Sequence, residues 1–329
     1  MTTTLRPTPE ETPATVAPDL RKRRVYGMLI FGVVFAVGCW LTGVPSSDPI
    51  IAFGWLWLAT IAWRNYLPWK QHLLFLRDWM PIVFLLMVYN VSRGYADKLF
   101  APHVTPMIDA DKAMFGWFTG NEVPTQWLQE HLYHVGQVQW WEIAVSLVYF
   151  SHFLTVPTIA VVLWVRSRPQ WARYMRRWFA LTAAGLLTYF LYPAAPPWWA
   201  ADDGLLSAVR LSTNGWNALG LHSAANTLNG LQIDAANPVA AMPSLHTAYA
   251  LMAVSFFLPL LRKRWWPIVL AYPLAMTFTL VYSAEHYVID VLVGWVYVAL
   301  TFLVVGVVER WWSRRPAKPA AVKTEQRVG

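Results

Sequence analysis

The chain has 329 residues, of which 57% are apolar and only 13% are charged. This balance excludes most soluble classes, disorder and coiled coils, and the 21 tryptophans suit a chain that meets two membrane interfaces. The formal charge of +8 suggests a nucleic-acid partner, but the basic residues form short clusters between apolar runs. That pattern fits a membrane topology signal better, so we expect no nucleic-acid partner.

Eight long uncharged runs, the last of which contains one aspartate, predict eight transmembrane helices. They cover residues 25–47, 49–63, 79–92, 143–165, 178–201, 235–261, 265–284 and 287–308. A helix needs about 20 residues to cross the hydrocarbon, so the short second and third runs must extend into their flanks. The predicted fold is an all-α, polytopic membrane protein.

The distribution of lysine and arginine predicts the orientation of these helices. If all eight runs span the bilayer, 22 of the 26 basic residues lie on one side and 12 of the 18 acidic residues on the other. Because positive loops remain in the cytoplasm, both termini are expected there, in an integral protein of the plasma membrane. The first run follows basic residues 21–24 like a signal peptide, but it lacks a small-residue cleavage site and is interpreted as a retained anchor.

Two long connections, residues 97–142 and 201–237, are then extracytoplasmic, and function is expected on that face. The first combines prolines and glycines with tryptophans, which predicts short surface helices at the lipid boundary. The second is rich in Asn, Gly and Ser with interspersed leucines, so we expect it to fold over the membrane surface as a cap. The cytoplasmic residues 1–24 and the basic tail 310–329 are expected to be disordered.

Polar groups and helix breaks near membrane helices are candidates for function, because polar groups are unfavourable there. One cluster, from Tyr192 to Trp199, lies where the fifth run reaches the outer face, and its prolines end the helix. For this cluster alone, a helix stop with an aromatic belt is an equally good interpretation.

A second cluster surrounds Ser244 and His246 at the outer start of the sixth run. Pro243 suits the first turn of a helix, and the free N–H groups there, with the Ser244 hydroxyl, are able to hold an anion such as phosphate. His246 is placed to give a proton to a departing oxygen. The alternative is a capped helix with a buried, hydrogen-bonded histidine.

A third cluster contains His286 and Asp290 at the outer start of the eighth run. Positions i and i+4 share a helix face, so the Asp290 carboxylate is placed to accept from one imidazole nitrogen and leave the other as nucleophile or base. An isolated structural ion pair is the alternative for this motif alone. Since the three clusters share one membrane face, their joint use in catalysis is favoured.

The sequence Pro243-Ser244-Leu245-His246 and, 40 residues later, His286 followed by Asp290 resemble the second and third signature motifs, respectively, of the type 2 phosphatidic acid phosphatase (PAP2) superfamily. Together with Tyr192 to Trp198 and Gly294, these motifs are most similar to its inositol phosphorylceramide synthase branch. The resemblance covers residues 143–308. It implies a six-helix catalytic bundle, which we assign to residues 77–309, and leaves two additional N-terminal helices in residues 25–67.

The resemblance also implies the chemistry. His286 attacks phosphorus and forms a phosphohistidine, Asp290 orients His286, and His246 protonates the leaving group. A covalent intermediate of this kind splits one displacement into two easier steps. This mechanism requires neither a metal nor a cofactor, and none is expected.

The expected phosphate contacts are Ser244, Tyr192 and Arg93. Phosphatases of the superfamily have Lys and Arg in the first motif and a Ser–Arg pair before the third-motif histidine, but residues 192–199 and 279–280 of this chain contain no cation. A phosphomonoester carries close to two negative charges and a diester one, so a diester substrate is favoured. Arg93 is the best remaining cation, with snorkelling to the interface as its alternative role; Lys98 and Arg210 are weaker candidates.

The predicted function is a phosphotransferase that acts on the phosphodiester head group of a lipid, with an alcohol or water as acceptor. A PAP2-type phosphatase for a lipid phosphate or polyprenyl diphosphate is the second hypothesis. A transporter or non-catalytic membrane partner is the third, disfavoured because transporters place ionisable groups near the midplane. The catalytic hypothesis predicts that the His246 and His286 imidazoles face each other across a gap of about 5 to 7 Å that holds one phosphorus.

Overall fold

The computed structural model describes residues 18–42, 49–93, 100–219 and 238–314, and these ranges contain helices and connections but no β-strand. Helices suit the long apolar runs because a helix satisfies its backbone N–H and C=O groups internally, without water. The chain forms two compact units, Met1–Asn90 and Val91–Gly329. Most of the predicted disordered termini, residues 1–17 and 315–329, lie outside the described residues.

The first unit contains α1 (Pro18–Thr42), α2 (Pro49–Trp63) and most of α3 (Trp69–Arg93). α1 packs against α2, with the rings of Phe35 and Trp55 edge to face at 5.0 Å, an arrangement that aromatic pairs prefer. Residues 18–24, expected to be disordered, belong to α1. A proline at the first helical position and Asp19 in the first turn both favour this earlier start.

The two short apolar runs behave differently. α3 starts ten residues before its predicted run and reaches 25 residues, as a membrane-crossing helix requires. α2 keeps only 15 residues and is followed by a turn before Pro68. The predicted extension of the second run beyond Trp63 is therefore wrong. Pro68 opposes it, because a proline disfavours the helical conformation of the residue before it.

The second unit has nine helices within the described residues. In chain order they are α4 (Thr105–Thr119), α5 (Pro124–Leu132), α6 (Trp140–Arg166), α7 (Arg168–Leu191), α8 (Pro197–Asp202), α9 (Asn214–Ala218), α10 (Leu245–Phe257), α11 (Trp266–Tyr282) and α12 (Val288–Ser313). Two 3₁₀ turns, Leu258–Leu260 and Lys263–Trp265, separate α10 from α11. α4 and α5 are the short helices predicted for the first outer connection; their place at the lipid boundary stays a prediction.

Five helical segments within the described ranges are long and apolar enough to cross a bilayer. They are Asp19–Leu41, Trp69–Tyr89, Trp140–Arg166, Lys263–Tyr282 and Val288–Ser313. α2 and α10 are apolar but shorter, and α7 carries four arginines in its first ten residues. Each predicted run coincides with a helix. The chain is thus an all-α polytopic membrane protein, whereas the number of eight crossings stays a prediction.

α10 lies at the centre of the second unit, in contact with α6, α7, α11 and α12. Tyr149 of α6 and Met276 of α11 belong to a buried cluster beside it. On another side, Gly185 of α7 permits a close approach, since a Cβ atom there would lie 2.9 Å from the Leu245 side chain. The second unit holds five of the six helices expected for the bundle, whereas most of the sixth, α3, falls in the first unit.

Prolines move the outer ends of two predicted helices. α7 ends at Leu191 rather than at residue 201, and α10 begins at Leu245 rather than at residue 235. The intervening segments contain the prolines at 193, 196, 197, 238 and 243. A proline cannot continue a helix that precedes it, because it has no N–H to donate, and it disfavours the helical conformation of the residue before it. Ala194 instead forms isolated β-bridges with His103 and Ala240. Extended backbone from three connections thus meets beside the start of α10.

Two buried polar side chains tie the outer connections to the bundle. The Glu142 carboxylate, in the first turn of α6, accepts hydrogen bonds from Tyr282 and Asn214, each at 3.1 Å. Gln129 of α5 donates to the Tyr282 carbonyl at 2.7 Å and to the Val209 carbonyl at 2.8 Å. Since buried polar groups need partners, these bonds fix the connections against the helix ends that carry the site.

Candidate active site

The connection that leads into α10 is held by two neighbouring helices. Ser244 is the N-cap of α10 and is fully buried, and its backbone N–H donates to the Asp290 carbonyl of α12 at 2.9 Å. The Tyr189 hydroxyl of α7 donates to the Pro243 carbonyl at 2.7 Å. The second and third motifs are thereby joined through their backbones.

Gly294 makes this approach of α12 to α10 possible. A Cβ atom at position 294 would lie 2.6 Å from the Ser244 carbonyl oxygen, closer than packed atoms approach one another. Any larger residue would push α12 away from the start of α10. The glycine of the third motif therefore permits the contact between the two motifs.

The two motif histidines face each other at this junction. Nδ1 of His246 lies 3.2 Å from Nε2 of His286, and the ring centroids are 5.3 Å apart at an interplanar angle of 61°. His286 is buried, with 4% of its surface exposed, whereas His246 is half-buried. The structure thus brings the rings together, but the gap expected between them is closed, because the two nitrogens are in direct hydrogen-bond contact.

Asp290 lies behind the His286 ring. Its Oδ2 is 3.6 Å from Nδ1 of His286, an ion-pair distance slightly longer than a hydrogen bond, and accepts the backbone N–H of Tyr287 at 2.9 Å. The carboxylate is fully buried and is held in place by the backbone that it caps. A proton on Nδ1 would face this carboxylate, which leaves the lone pair of Nε2 directed at His246.

The Ser244 side chain is a free polar group at the same point. Its hydroxyl is buried and has no hydrogen-bond partner among the described residues. Leaving a buried hydroxyl unpaired is unfavourable by about 1 to 3 kcal/mol, and the first turn of α10 adds N–H groups that lack intrahelical acceptors. Both features suit the binding of an anion at the start of α10.

Tyr192, the residue that follows α7, lies near the Asp290 carboxylate. Its ring stacks on that of His103, with centroids 4.0 Å apart and planes 8° from parallel. Burial, and after it the charge of Asp290, raise the pKa of Tyr192 above its ordinary value. Tyr192 is therefore within electrostatic reach of the site, and its predicted contact with phosphate stays a prediction.

The structure does not test the predicted role of Arg93. Arg93 is the last residue of α3, but its side chain lies outside the described residues, as does all of Lys98. Whether Arg93 contacts phosphate therefore stays a prediction.

Sequence reasoning missed Asp111. Its carboxylate, on α4, accepts the backbone N–H groups of Val288 at 3.0 Å and Ile289 at 2.9 Å, and so caps α12 just after His286. Burial, only partly offset by these two hydrogen bonds, raises the pKa of Asp111 to about 7. A single aspartate in a short surface helix gives no signal that its partner lies 177 residues away.

Aromatic side chains of α6 enclose the other face of His246. The ring centroid of His152 lies 4.2 Å from that of His246, and Tyr149 faces the same ring at 5.5 Å. His246 therefore lies between α6 and His286.

The site combines two imidazoles in contact, a buried carboxylate behind one of them, and an unpaired hydroxyl at a helix N-terminus. Such groups are able to bind an anion, exchange a proton and form a covalent bond to an electrophile. Within the part of the chain that the structure describes, no three His, Cys, Asp or Glu side chains are arranged to hold a metal ion. Fold and site together define an all-α membrane protein with a paired-histidine site at the junction of two helix N-termini.

The chain belongs to the PAP2 superfamily. The model of this family matches residues 123–304, which is more than half of the chain and includes the clusters around Tyr192, Ser244 and His286. The resemblance that these motifs indicated is therefore confirmed.

A curated relative agrees with the branch that the motifs indicated. The chain is similar to phosphoinositol dihydroceramide synthase of Bacteroides thetaiotaomicron, with 27% identity over 203 residues. The match covers 58% of this chain and 63% of that protein, so the chain spans less than two thirds of the relative's length. No solved structure matches the chain.

Proposed function

We propose that the protein is a lipid phosphotransferase, which moves a phosphoryl-linked head group from a phosphodiester lipid to an alcohol acceptor. The observation that carries this proposal is the contact between His246 and His286, with Asp290 behind the second ring. Two imidazoles whose nitrogens meet at one point are able to act on opposite sides of one phosphorus atom, one as nucleophile and the other as proton donor.

In the first step, Nε2 of His286 attacks the phosphorus of the donor, and the bond from phosphorus to the oxygen of the lipid alcohol breaks. His246 gives its proton to that oxygen, so the lipid leaves as a neutral alcohol and the phosphoryl head group stays on His286. The Asp290 carboxylate stabilises the positive charge that develops on the His286 ring.

In the second step, the acceptor alcohol attacks the same phosphorus. His246 takes the hydroxyl proton of the acceptor, which replaces the proton lost in the first step, while the bond between phosphorus and His286 breaks. The enzyme returns to its starting state with the head group on the acceptor. Water in place of the alcohol gives hydrolysis through the same steps.

The phosphate oxygens that do not react need hydrogen-bond donors, because negative charge on them must be stabilised in the transition state. The unpaired hydroxyl of Ser244 and the first turn of α10 are the donors that the described geometry supports best. Tyr192 and Arg93 are the other proposed phosphate contacts.

The proposed substrate is a phosphodiester lipid with a single negative charge. Thr279 and Leu280 stand where phosphatases of the superfamily have a Ser–Arg pair, and both are buried, with 1% and 0% of their surfaces exposed. The name of the relative, phosphoinositol dihydroceramide synthase, further supports an inositol phosphate head group and an acceptor of the ceramide class.

The proposed site faces away from the cytoplasm. The start of α10 and the start of α12 lie at the ends of their helices opposite the basic clusters at residues 262–264 and 310–314. Since basic clusters remain in the cytoplasm, the histidine pair lies on the extracytoplasmic side of the plasma membrane.

An assay of the purified protein in detergent tests the proposal. The donor is a phosphatidylinositol labelled in its head group, the acceptor is a ceramide, and phosphatidic acid serves as the monoester for comparison. We expect labelled acceptor lipid and released diacylglycerol, with phosphatidic acid as the poorer substrate. Preferred hydrolysis of phosphatidic acid would contradict the proposal and favour a lipid phosphatase. His134→Ala is a matched control, because His134 is exposed on the outer connection between α5 and α6.

A further inference from the structure

Arg210 forms a paired and oriented cation directly beside the third motif. Its Nε and Nη2 atoms donate to the two carboxylate oxygens of Glu285, at 2.8 Å and 2.9 Å. The Ser212 hydroxyl donates to the same carboxylate at 2.6 Å, and the guanidinium lies 4.8 Å from the centre of the Trp198 ring. A two-pronged ion pair and an aromatic face together fix the plane of the guanidinium.

This pair belongs to the surroundings of the two histidines. Glu285 immediately precedes His286, and the backbone N–H groups of both residues donate to the Leu280 carbonyl in one tight turn. The Arg210 charge acts on His246 and on Tyr149, whose rings face each other at 5.5 Å. The guanidinium therefore lies beside the turn that leads into His286.

One edge of the guanidinium is available to a ligand. Nη1 of Arg210 makes no hydrogen bond within the described residues, while Nε and Nη2 are occupied by Glu285. The Arg210 side chain is 27% exposed and that of Glu285 only 7%. The pair therefore presents its cationic edge outward and keeps its carboxylate covered.

We propose that Arg210 binds the phosphate of the substrate through Nη1, and that Glu285 sets the preference for a singly charged phosphodiester. The pair is neutral as a whole, so it offers a directed hydrogen-bond donor without adding net positive charge to the site. A lone arginine would favour the phosphomonoester, which carries close to two negative charges. This assignment rests on the proposed phosphotransferase function and adds the residue that selects the charge of its substrate.

The test compares kcat/KM for a phosphodiester lipid and a phosphomonoester lipid in purified variants. Arg210→Lys keeps the positive charge but removes the planar guanidinium with its several N–H donors. We expect kcat/KM for the diester to fall about 10- to 100-fold, as for a lost hydrogen bond to a charged group. Glu285→Gln keeps the shape but removes the negative charge, so the ratio of monoester to diester kcat/KM should rise about tenfold or more. Arg264→Gln, an exposed cation at the other end of the bundle, should change neither value.

The Glu285→Gln ratio separates a specificity role from a structural one, because damage to the fold lowers both activities together. If Glu285→Gln leaves the ratio unchanged, or if Arg210→Lys retains full diester activity, the inference is wrong while head-group transfer by the wild type still stands. If the wild type transfers no head group from a diester, the proposed function fails and this inference fails with it.

Discussion

Nδ1 of His246 and Nε2 of His286 lie 3.2 Å apart, too close to hold a phosphorus and a leaving oxygen between them. The two rings must therefore separate, to about 5 to 7 Å, when the substrate phosphate binds. His286 is buried against Asp290, whereas His246 is half-buried. We therefore expect His246 to be the ring that moves.

His246→Ala should affect substrates according to their leaving groups. For a lipid donor whose alkoxide needs a proton, we expect a loss of about 10²- to 10⁴-fold in the rate of phosphoenzyme formation. A nitrophenyl phosphodiester needs no such proton, so the variant should still release a burst of nitrophenol and accumulate the covalent adduct. Rapid-mixing measurements of the burst check this, and an equal loss for both donors would exclude His246 as the acid.

Gly294→Ala should weaken the junction between α10 and α12. The new methyl group would meet the Ser244 carbonyl at 2.6 Å, and overpacking of this kind costs about 1 to 3 kcal/mol. We expect a lower Tm in detergent and reduced activity. Gly306→Ala on the same helix is the control, because nothing lies within 4 Å of a Cβ there and alanine favours the helix. Equal Tm values for the two variants would contradict this role of Gly294.

Asp111→Asn should change how the stability of the protein depends on pH. Burial raises the pKa of Asp111 to about 7 in the folded state, against an ordinary value of 3.8. Between these values the unfolded chain is ionised while the folded protein keeps the proton, so folding loses stability as the pH rises from about 4 to about 7. The loss amounts to a few kcal/mol at most.

Asparagine does not titrate, so this variant should lack the loss. The Tm of the wild type minus that of Asp111→Asn should therefore be smaller at pH 8 than at pH 5. A difference that grows with pH would show that the charged carboxylate stabilises the start of α12, and would contradict the raised pKa.

The orientation of the outer connections can be tested with single cysteines. After Cys39→Ser removes the one native cysteine, Val135→Cys places a thiol at a position 87% exposed, between α5 and α6. An impermeant maleimide should label it on intact cells. Leu260→Cys, 70% exposed at the other end of the bundle, should react only after the cells are permeabilised. The reverse pattern would contradict the extracytoplasmic site.

Helices and motifs could be predicted from the sequence because their signals are local. Each of the eight apolar runs coincides with a helix. The helix face predicted for His286 and Asp290 is wrong, because α12 begins only at Val288 and His286 lies in the turn before it; the two side chains are nevertheless close, with Oδ2 of Asp290 3.6 Å from Nδ1 of His286. The ends of α7 and α10 could be placed less well, since apolar residues continue past the prolines that end or precede these helices.

Contacts between distant connections could not be predicted. The bonds from Asp111 to the start of α12 and from Arg210 to Glu285 join residues 177 and 75 positions apart. No periodicity or spacing links such pairs, because helix packing alone decides which connections meet. The sequence contains Arg210 as one of several outer cations, and only the folded chain sets it beside His286.

A labelling experiment tests the central claim most directly. The purified protein is mixed briefly with a phosphodiester lipid that carries radioactive phosphorus, quenched, and digested, and the labelled peptide is identified. We predict an acid-labile label on His286 in the wild type and in His134→Ala, and no label in His286→Ala. Label on another residue, or turnover of the lipid by His286→Ala at the wild-type rate, would contradict the phosphohistidine mechanism.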